Sequence, residues 1–268
     1  MRSIPSAWLT SLVLAFAVVT GSGLCSQQVP LPPSPEYYGI RQWGRHHFET
    51  DSRLLPIVDI SADSQHTAVV RSDGRAYVQG QDNSGVCRVP PGRYRKITLG
   101  IRKAAGVRDD GTIVGWGDGF RETIPPLPAN TNYVDVACGG THSLFLRSDG
   151  VLLASGTNQF GQLNVPQLPA GVVPIKIHAV GYNSIMLASD GSVHAWGDNT
   201  YGQCNVPALP PGLIYTDTSC NWDHSLAVRS DGALLAWGFN GSGELNVPAL
   251  PPGTRYERCA AGRGFSVA

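Results

Sequence analysis

The sequence lacks most of the features that mark other protein classes. Its 268 residues carry 20 Lys and Arg against 20 Asp and Glu, so the formal net charge is zero. A nucleic-acid partner calls for a basic stripe that releases counterions from phosphate, and the chain has none. It also has no block of like charge to suit a membrane surface. Long helical periodicity is missing after the first 25 residues, which excludes helical bundles. There is no CxxC pair or Cys/His spacing for zinc, no nucleophile elbow, no paired carboxylates outside turns and no phosphate-cradling glycine loop. The expectation is a chain with no catalytic residues, no metal site and no cofactor.

What the chain does have is 32 Gly, 20 Pro and 42% hydrophobic residues. That hydrophobic content does not suit disorder, and the turn formers suit short strands. The N-terminus pairs Arg2 with an apolar run from Trp8 to Val19 and small residues from Thr20 to Gly23. This pattern reads as a secretory signal peptide over 1–23, too short to span a membrane. A proline-rich linker follows over 24–35, then a repeat domain over 36–268. The mature chain is expected to be exported (secreted, periplasmic or on the cell surface) with no membrane span. Leu24, not a small residue, precedes Cys25, so lipidation there is not favoured.

Asp-Gly pairs recur at Asp73-Gly74, Asp110-Gly111, Asp149-Gly150, Asp190-Gly191 and Asp231-Gly232. A second glycine recurs at Gly80, Gly117, Gly156, Gly197 and Gly238, preceded by Trp116, Trp196 and Trp237 in three copies. A proline follows each, at Pro90, Pro125, Pro166, Pro207 and Pro248. Each copy reads as three strands: Tyr133 to Ala137, His142 to Leu146 and Val151 to Ser155 in the third. Asp-Gly is expected to form a two-residue hairpin with positive φ at both residues. The proline return belongs on an outer edge, because proline cannot donate to a ladder. Copies that cannot bury their own apolar faces must stack, and radial stacking of such sheets gives an all-β propeller.

Export places the cysteines in an oxidising setting, but their registers argue against bridges. Cys87 and Cys204 stand where other copies carry Leu163 and Leu245, while Cys138 and Cys220 share one register. Equivalent positions in separate copies are too far apart to pair, so mostly free, buried thiols are expected. His66, His142 and His224 share another register, with Asn183 in copy four. A repeated His-Ser at a strand start ties down neighbouring backbone more readily than it gathers a metal.

His142-Ser143-Leu144, Ser148-Asp149-Gly150, Trp196-Gly197 and Gly202-Gln203 together resemble the regulator of chromosome condensation repeat. The resemblance runs from about Ile57 to Ala268, and the short period and Val-Pro return look most like its secreted bacterial members. It implies a β-propeller used as a binding surface. Copy two departs from the pattern: it lacks the His-Ser pair and has Asp118-Gly119-Phe120 where others have a longer loop. Six blades are expected if Gly39 to Gly44, which resembles a third strand, joins the C-terminal half-repeat. Seven are expected if the sequence is truncated, which is favoured because Ala268 interrupts an apolar strand.

Strand direction places the first turns and the loops after third strands at one end. The turns present Gln65, Thr141, Tyr182, Trp222 and Arg263, and the loops present Phe120, Phe160, Tyr201 and Phe239. Aromatic residues on a rigid scaffold are typical of protein-binding hot spots; the competing expectation is that several pack between blades. The expected function is a non-enzymatic module binding a protein partner through this face. An inhibitor of an extracellular enzyme, or a carbohydrate-binding propeller, is the alternative.

Overall fold

The computed structural model describes residues 55–268. The expected signal peptide, the linker, Cys25 and Gly39 to Gly44 lie outside the described residues. Within them the chain forms strands and turns only, as five antiparallel three-stranded sheets and one two-stranded sheet. Blade 1 is β1 (Ile57–Ala62), β2 (His66–Arg71) and β3 (Ala76–Gly80); blade 2 is β4 (Tyr94–Gly100), β5 (Lys103–Arg108) and β6 (Ile113–Trp116). Blade 3 is β7 (Tyr133–Cys138), β8 (His142–Arg147) and β9 (Leu152–Gly156). Blade 4 is β10 (Pro174–Val180), β11 (Asn183–Ala188) and β12 (Val193–Gly197). Blade 5 is β13 (Tyr215–Cys220), β14 (His224–Arg229) and β15 (Leu234–Gly238), and β16 (Ala260–Gly262) pairs with β17 (Phe265–Val267).

The Asp-Gly turn differs from its expected form. Gly150 has φ +82°, whereas Asp149 is not left-handed. The Gly150 N–H donates to Arg147 O and the Arg147 N–H donates to Val151 O, both at 3.0 Å. The turn therefore spans three residues, Ser-Asp-Gly: an ordinary turn followed by one left-handed glycine, which matches strand twist as well as the two-residue form does. The aspartate caps it, Asp149 Oδ1 accepting from the Val151 N–H at 3.3 Å.

Packing explains why the sequence repeats. Successive first strands touch one another, so they lie at the centre of the fan. The apolar clusters lie between sheets, not within them. Ala68, Val70 and Val78 of blade 1 meet Ile97, Leu99 and Trp116 of blade 2. Leu144 and Leu146 of blade 3 meet Ile177, Met186 and Trp196 of blade 4, and Ile185 and Leu187 of blade 4 meet Ala227 and Trp237 of blade 5. Alternation along each middle strand supplies a buried residue to both faces. The tryptophans stitch these junctions: Trp116 Nε1 donates to Val86 O, Trp196 Nε1 to Gln162 O and Trp237 Nε1 to Gln203 O, at 2.7, 3.0 and 2.9 Å.

The histidine register ties blades together. His142 Nε2 lies 2.8 Å from Ser184 Oγ of the next blade, and His224 Nε2 lies 3.1 Å from Ser266 Oγ. Asn183 instead donates to Asn221 O and Trp222 O at 3.1 and 2.6 Å. At the register of Ser184 blade 2 carries Ala104, which has no hydroxyl, and His66 pairs with Gln81 O and Asp63. Cys138, Cys220 and Cys259 are free and buried, and Cys87 and Cys204 free and half-buried.

Candidate partner-binding face

The loops after β9 and β12 share one construction. Asn158 Oδ1 accepts from the Leu163 N–H at 2.9 Å while its amide reaches Asn164 Oδ1 at 3.1 Å. Asn199 repeats both bonds with Cys204 and Asn205, each at 2.9 Å. Beneath each loop lies a buried glutamine. Gln162 Oε1 accepts from the Phe160 N–H and Gln203 Oε1 from the Tyr201 N–H, both at 2.8 Å. In blade 5 Glu244 takes the same place, accepting from the Ser242 N–H at 2.9 Å. These loops are thus fixed by their own amides, and their aromatic side chains project from a set backbone.

Five of the aromatic residues expected on this face come together. Phe160, Tyr182 and Trp222, from blades 3, 4 and 5, form a row with ring centroids 4.7 and 5.8 Å apart. Tyr201 and Phe239 form a pair at 4.9 Å. Phe160, Trp222 and Phe239 are about two-fifths exposed, and Tyr201 is more than half exposed at 53%. Trp222 lies over Gly181, where a Cβ would come within 2.7 Å of the indole, and its carbonyl accepts from Asn183 and Gln203. Gln203 therefore fixes both Tyr201 and Trp222.

The other expected residues are placed differently. Phe120 turns onto its own sheet, where a Cβ at Gly115 would fall 2.1 Å from its ring, and joins the cluster between blades 2 and 3. Thr141 is half-buried, its Oγ1 bonded to Thr157 Oγ1 at 2.7 Å. Gln65 and Arg263 are exposed on their turns, on blade 1 and on the turn joining β16 and β17. Gln162, Gln203 and Asn183 were not anticipated as functional; for the two glutamines the signal was a Gly-Gln pair directly after an aromatic residue, Phe160 or Tyr201.

Charge divides the face. Thr157 to Gln162, Tyr182, Asp198 to Gln203, Asn221 to Asp223 and Phe239 to Glu244 contain no Lys or Arg, but include Asp198, Asp223 and Glu244. Among the described residues no group of three or more His, Cys, Asp or Glu is arranged to hold a metal ion. No helix of the described residues is long and apolar enough to cross a membrane.

Comparison with known proteins agrees with this geometry. The family model for the regulator of chromosome condensation (RCC1) repeat matches residues 133–162, 175–203 and 215–244, one stretch in each of blades 3, 4 and 5. Regulator of chromosome condensation from Xenopus laevis is 27% identical over 130 residues, covering 45% of this chain and 25% of the relative. Prp20p from Saccharomyces cerevisiae superposes with a TM-score of 0.61 at 19% identity, over 72% of this chain and 59% of that one. The ectodomain of the Physcomitrella patens receptor kinase CR4 gives 0.60 at 18%, over 80% and 58%. The chain thus spans a quarter of the curated relative and under two thirds of these solved chains. The fold is an all-β propeller, and three of its blades, 3, 4 and 5, match the regulator of chromosome condensation repeat.

Proposed function

We propose that this chain is an exported, non-enzymatic recognition module that binds a protein partner through the aromatic face of blades 3 to 5. The observation that carries this reading is the mounting of Phe160, Tyr182, Trp222, Tyr201 and Phe239: partly exposed rings, of which Phe160, Tyr201 and Trp222 have backbone groups held by buried side-chain amides. Large, rigid aromatic side chains lose little entropy when they are covered, and such residues dominate interface energetics. Because the same loops carry acids and no bases, the partner is expected to present apolar and cationic side chains, which the ring faces and Asp198 and Asp223 would receive.

The rings favour a protein over a polysaccharide. Their interplanar angles are 37°, 78° and 57°, so they form a corrugated surface, not the flat platform on which a sugar chain stacks. Prp20p has described binding to Gsp1p and histones, which supports protein recognition by a propeller of this kind. The CR4 ectodomain supports its use outside the cell. Export itself rests on the N-terminal pattern and is tested by sequencing the N-terminus of protein recovered from the medium.

The test of the face is capture of medium proteins by the immobilised chain. Trp222→Ala and Tyr201→Ala are each expected to weaken capture by roughly 30-fold or more. Ile175→Ala, at an exposed position at the Asp-Gly end of blade 4, should leave it unchanged. Capture that survives both aromatic substitutions would remove this face from consideration. Inhibition of an enzyme in the captured fraction would refine the reading to an inhibitor, and retention on polysaccharide resin would replace it.

A further inference from the structure

The first strands carry a pattern unrelated to the aromatic face. At the third register position of each copy stand Asp59, Lys96, Asp135, Lys176, Asp217 and Arg258. In the five complete blades this residue follows a β-bulge and pairs with Val70, Val107, Leu146, Leu187 and Val228 respectively. Arg258 follows Tyr256 as Asp217 follows Tyr215. The signs alternate without exception through all six copies.

The charges meet across blade junctions. Lys96 Nζ lies 2.6 Å from Asp135 Oδ2, and Lys176 Nζ lies 2.5 Å from Asp217 Oδ1. Arg258 approaches Asp217 from the other side at 3.7 Å. The acids also take backbone hydrogen bonds from the next copy: Asp59 Oδ2 from the Ile97 N–H at 2.7 Å and Asp217 Oδ2 from the Cys259 N–H at 2.9 Å. Asp217 is almost wholly buried, whereas Arg258 is more than half exposed.

The apolar junctions provide no comparable distinction. They draw on Val, Ile, Leu and Ala with occasional Tyr, Phe, Met or Cys, and a Trp in three of them, and attraction between such surfaces is non-directional. A chain of near-identical sheets can therefore pack one sheet onto the wrong neighbour, the characteristic failure of repeat proteins. With alternating charge, sheet n attracts sheet n+1, while sheet n+2 brings acid to acid or base to base. We propose that this ladder of charges is an ordering device, which makes each blade accept its neighbour in sequence and reject the blade after it.

The experiment is reversible urea unfolding of the full chain carrying Lys176→Met, Lys176→Asp, or the triple change Lys176→Asp, Asp217→Lys and Arg258→Asp. Lys176→Met only removes a pair, Lys176→Asp sets like charges at two junctions, and the triple change leaves one such junction. Lys176→Asp is expected to shift the unfolding equilibrium at least tenfold beyond Lys176→Met. The triple variant should recover most of that gap, and refolding yield should follow the same order. High salt should narrow the differences. Equal behaviour of Lys176→Met and Lys176→Asp, or a triple variant equal to the product of its single changes, would overturn the proposal. Should Lys176→Asp not fold, the exposed Arg258 gives the second reading. Arg258→Glu must then show a salt-sensitive loss that Arg258→Met lacks, and identical behaviour of those two would equally overturn it.

Discussion

Blade 2 and blades 3 to 5 share one backbone plan and solve its junctions with different chemistry. In blades 3 and 5 a buried histidine meets the serine of the next blade. In blade 2 that register holds Lys103, wholly buried, whose ammonium pairs with Glu122 and donates to His142 O at 2.9 Å and Ser143 Oγ at 3.3 Å. Glu122 comes from the stretch that replaces the longer loop, so the two departures of copy two belong to one arrangement. The difference extends to the surface. Blades 3 and 4 place a glutamine under the loop and present an aromatic residue above it; blade 2 has no such glutamine, and Phe120 turns inward.

The largest effect expected from this comparison falls on the buried ion pair. Lys103→Met leaves the Glu122 carboxylate buried without its cation, which should cost about 3–5 kcal/mol in urea unfolding. Adding Glu122→Leu should restore most of that loss, because an apolar pair of similar size does not need the charge. If the double variant is no better than the single, the hydrogen bonds to blade 3 matter more than the pair.

Acid should separate the blades next. Burial holds the Asp59 carboxyl at about 6, above its ordinary 3.8, with Lys96 opposing. Burial, aided by the charge of Lys103, holds His142 down to about 4. The fold therefore favours protonated Asp59, whose stabilising contribution is full below pH 4 and is lost as the pH rises through 6. It favours neutral His142, whose contribution is full above pH 6.5 and is lost as the pH falls towards 4. Each amounts to at most about 3 kcal/mol. Asp59→Asn keeps an oxygen for the Ile97 N–H and should gain stability relative to the native chain only above pH 4. His142→Asn, the residue blade 4 uses, should lose the acid-side decline. Unfolding midpoints across pH 4 to 7 check both, and parallel curves for all three proteins would refute the assignment.

The order of strands and turns was legible because the repeat states it several times. Tyr133 to Ala137 and His142 to Leu146 are observed as strands one residue longer at their C-terminal ends, and Val151 to Ser155 is shifted one residue onward. The propeller follows from the same repetition. The direction of an individual ring was less legible, because it depends on a neighbour across the strand. Gly115 stands where blades 3, 4 and 5 carry Ala154, Ala195 and Ala236, and only its missing methyl makes room for Phe120. That glycine was the available signal, and it concerns packing rather than turning. Phe239 is the converse case: it sits at a different loop position from Tyr201, so register alone could not pair them, yet their rings touch. The alternating charges of the first strands stand in the sequence, but their partners emerge only when neighbouring first strands are brought together.

A smaller effect, on binding more than on stability, is expected at Gln203. Its side chain holds the Tyr201 N–H and the Trp222 carbonyl, so Gln203→Ala should loosen two rings without touching the partner. Stability should fall by about 1 kcal/mol and capture by roughly tenfold. Gln162→Ala should weaken capture less, because Gln162 holds the Phe160 backbone alone among the rings. If the two glutamine variants behave alike, the face is not centred on blades 4 and 5.

The smallest expected effect is at Phe120. Phe120→Leu keeps an apolar side chain against Gly115 and should cost less than about 1.5 kcal/mol. Capture should change by less than about twofold, because the ring is directed into the junction with blade 3 and away from the aromatic row. This variant tests the division between blade 2 and its neighbours from the side where nothing should happen. A loss of capture comparable with that of Trp222→Ala, at unchanged stability, would mean that the face continues onto blade 2. The buried glutamine would then not be what separates the blades that bind from the blade that only packs.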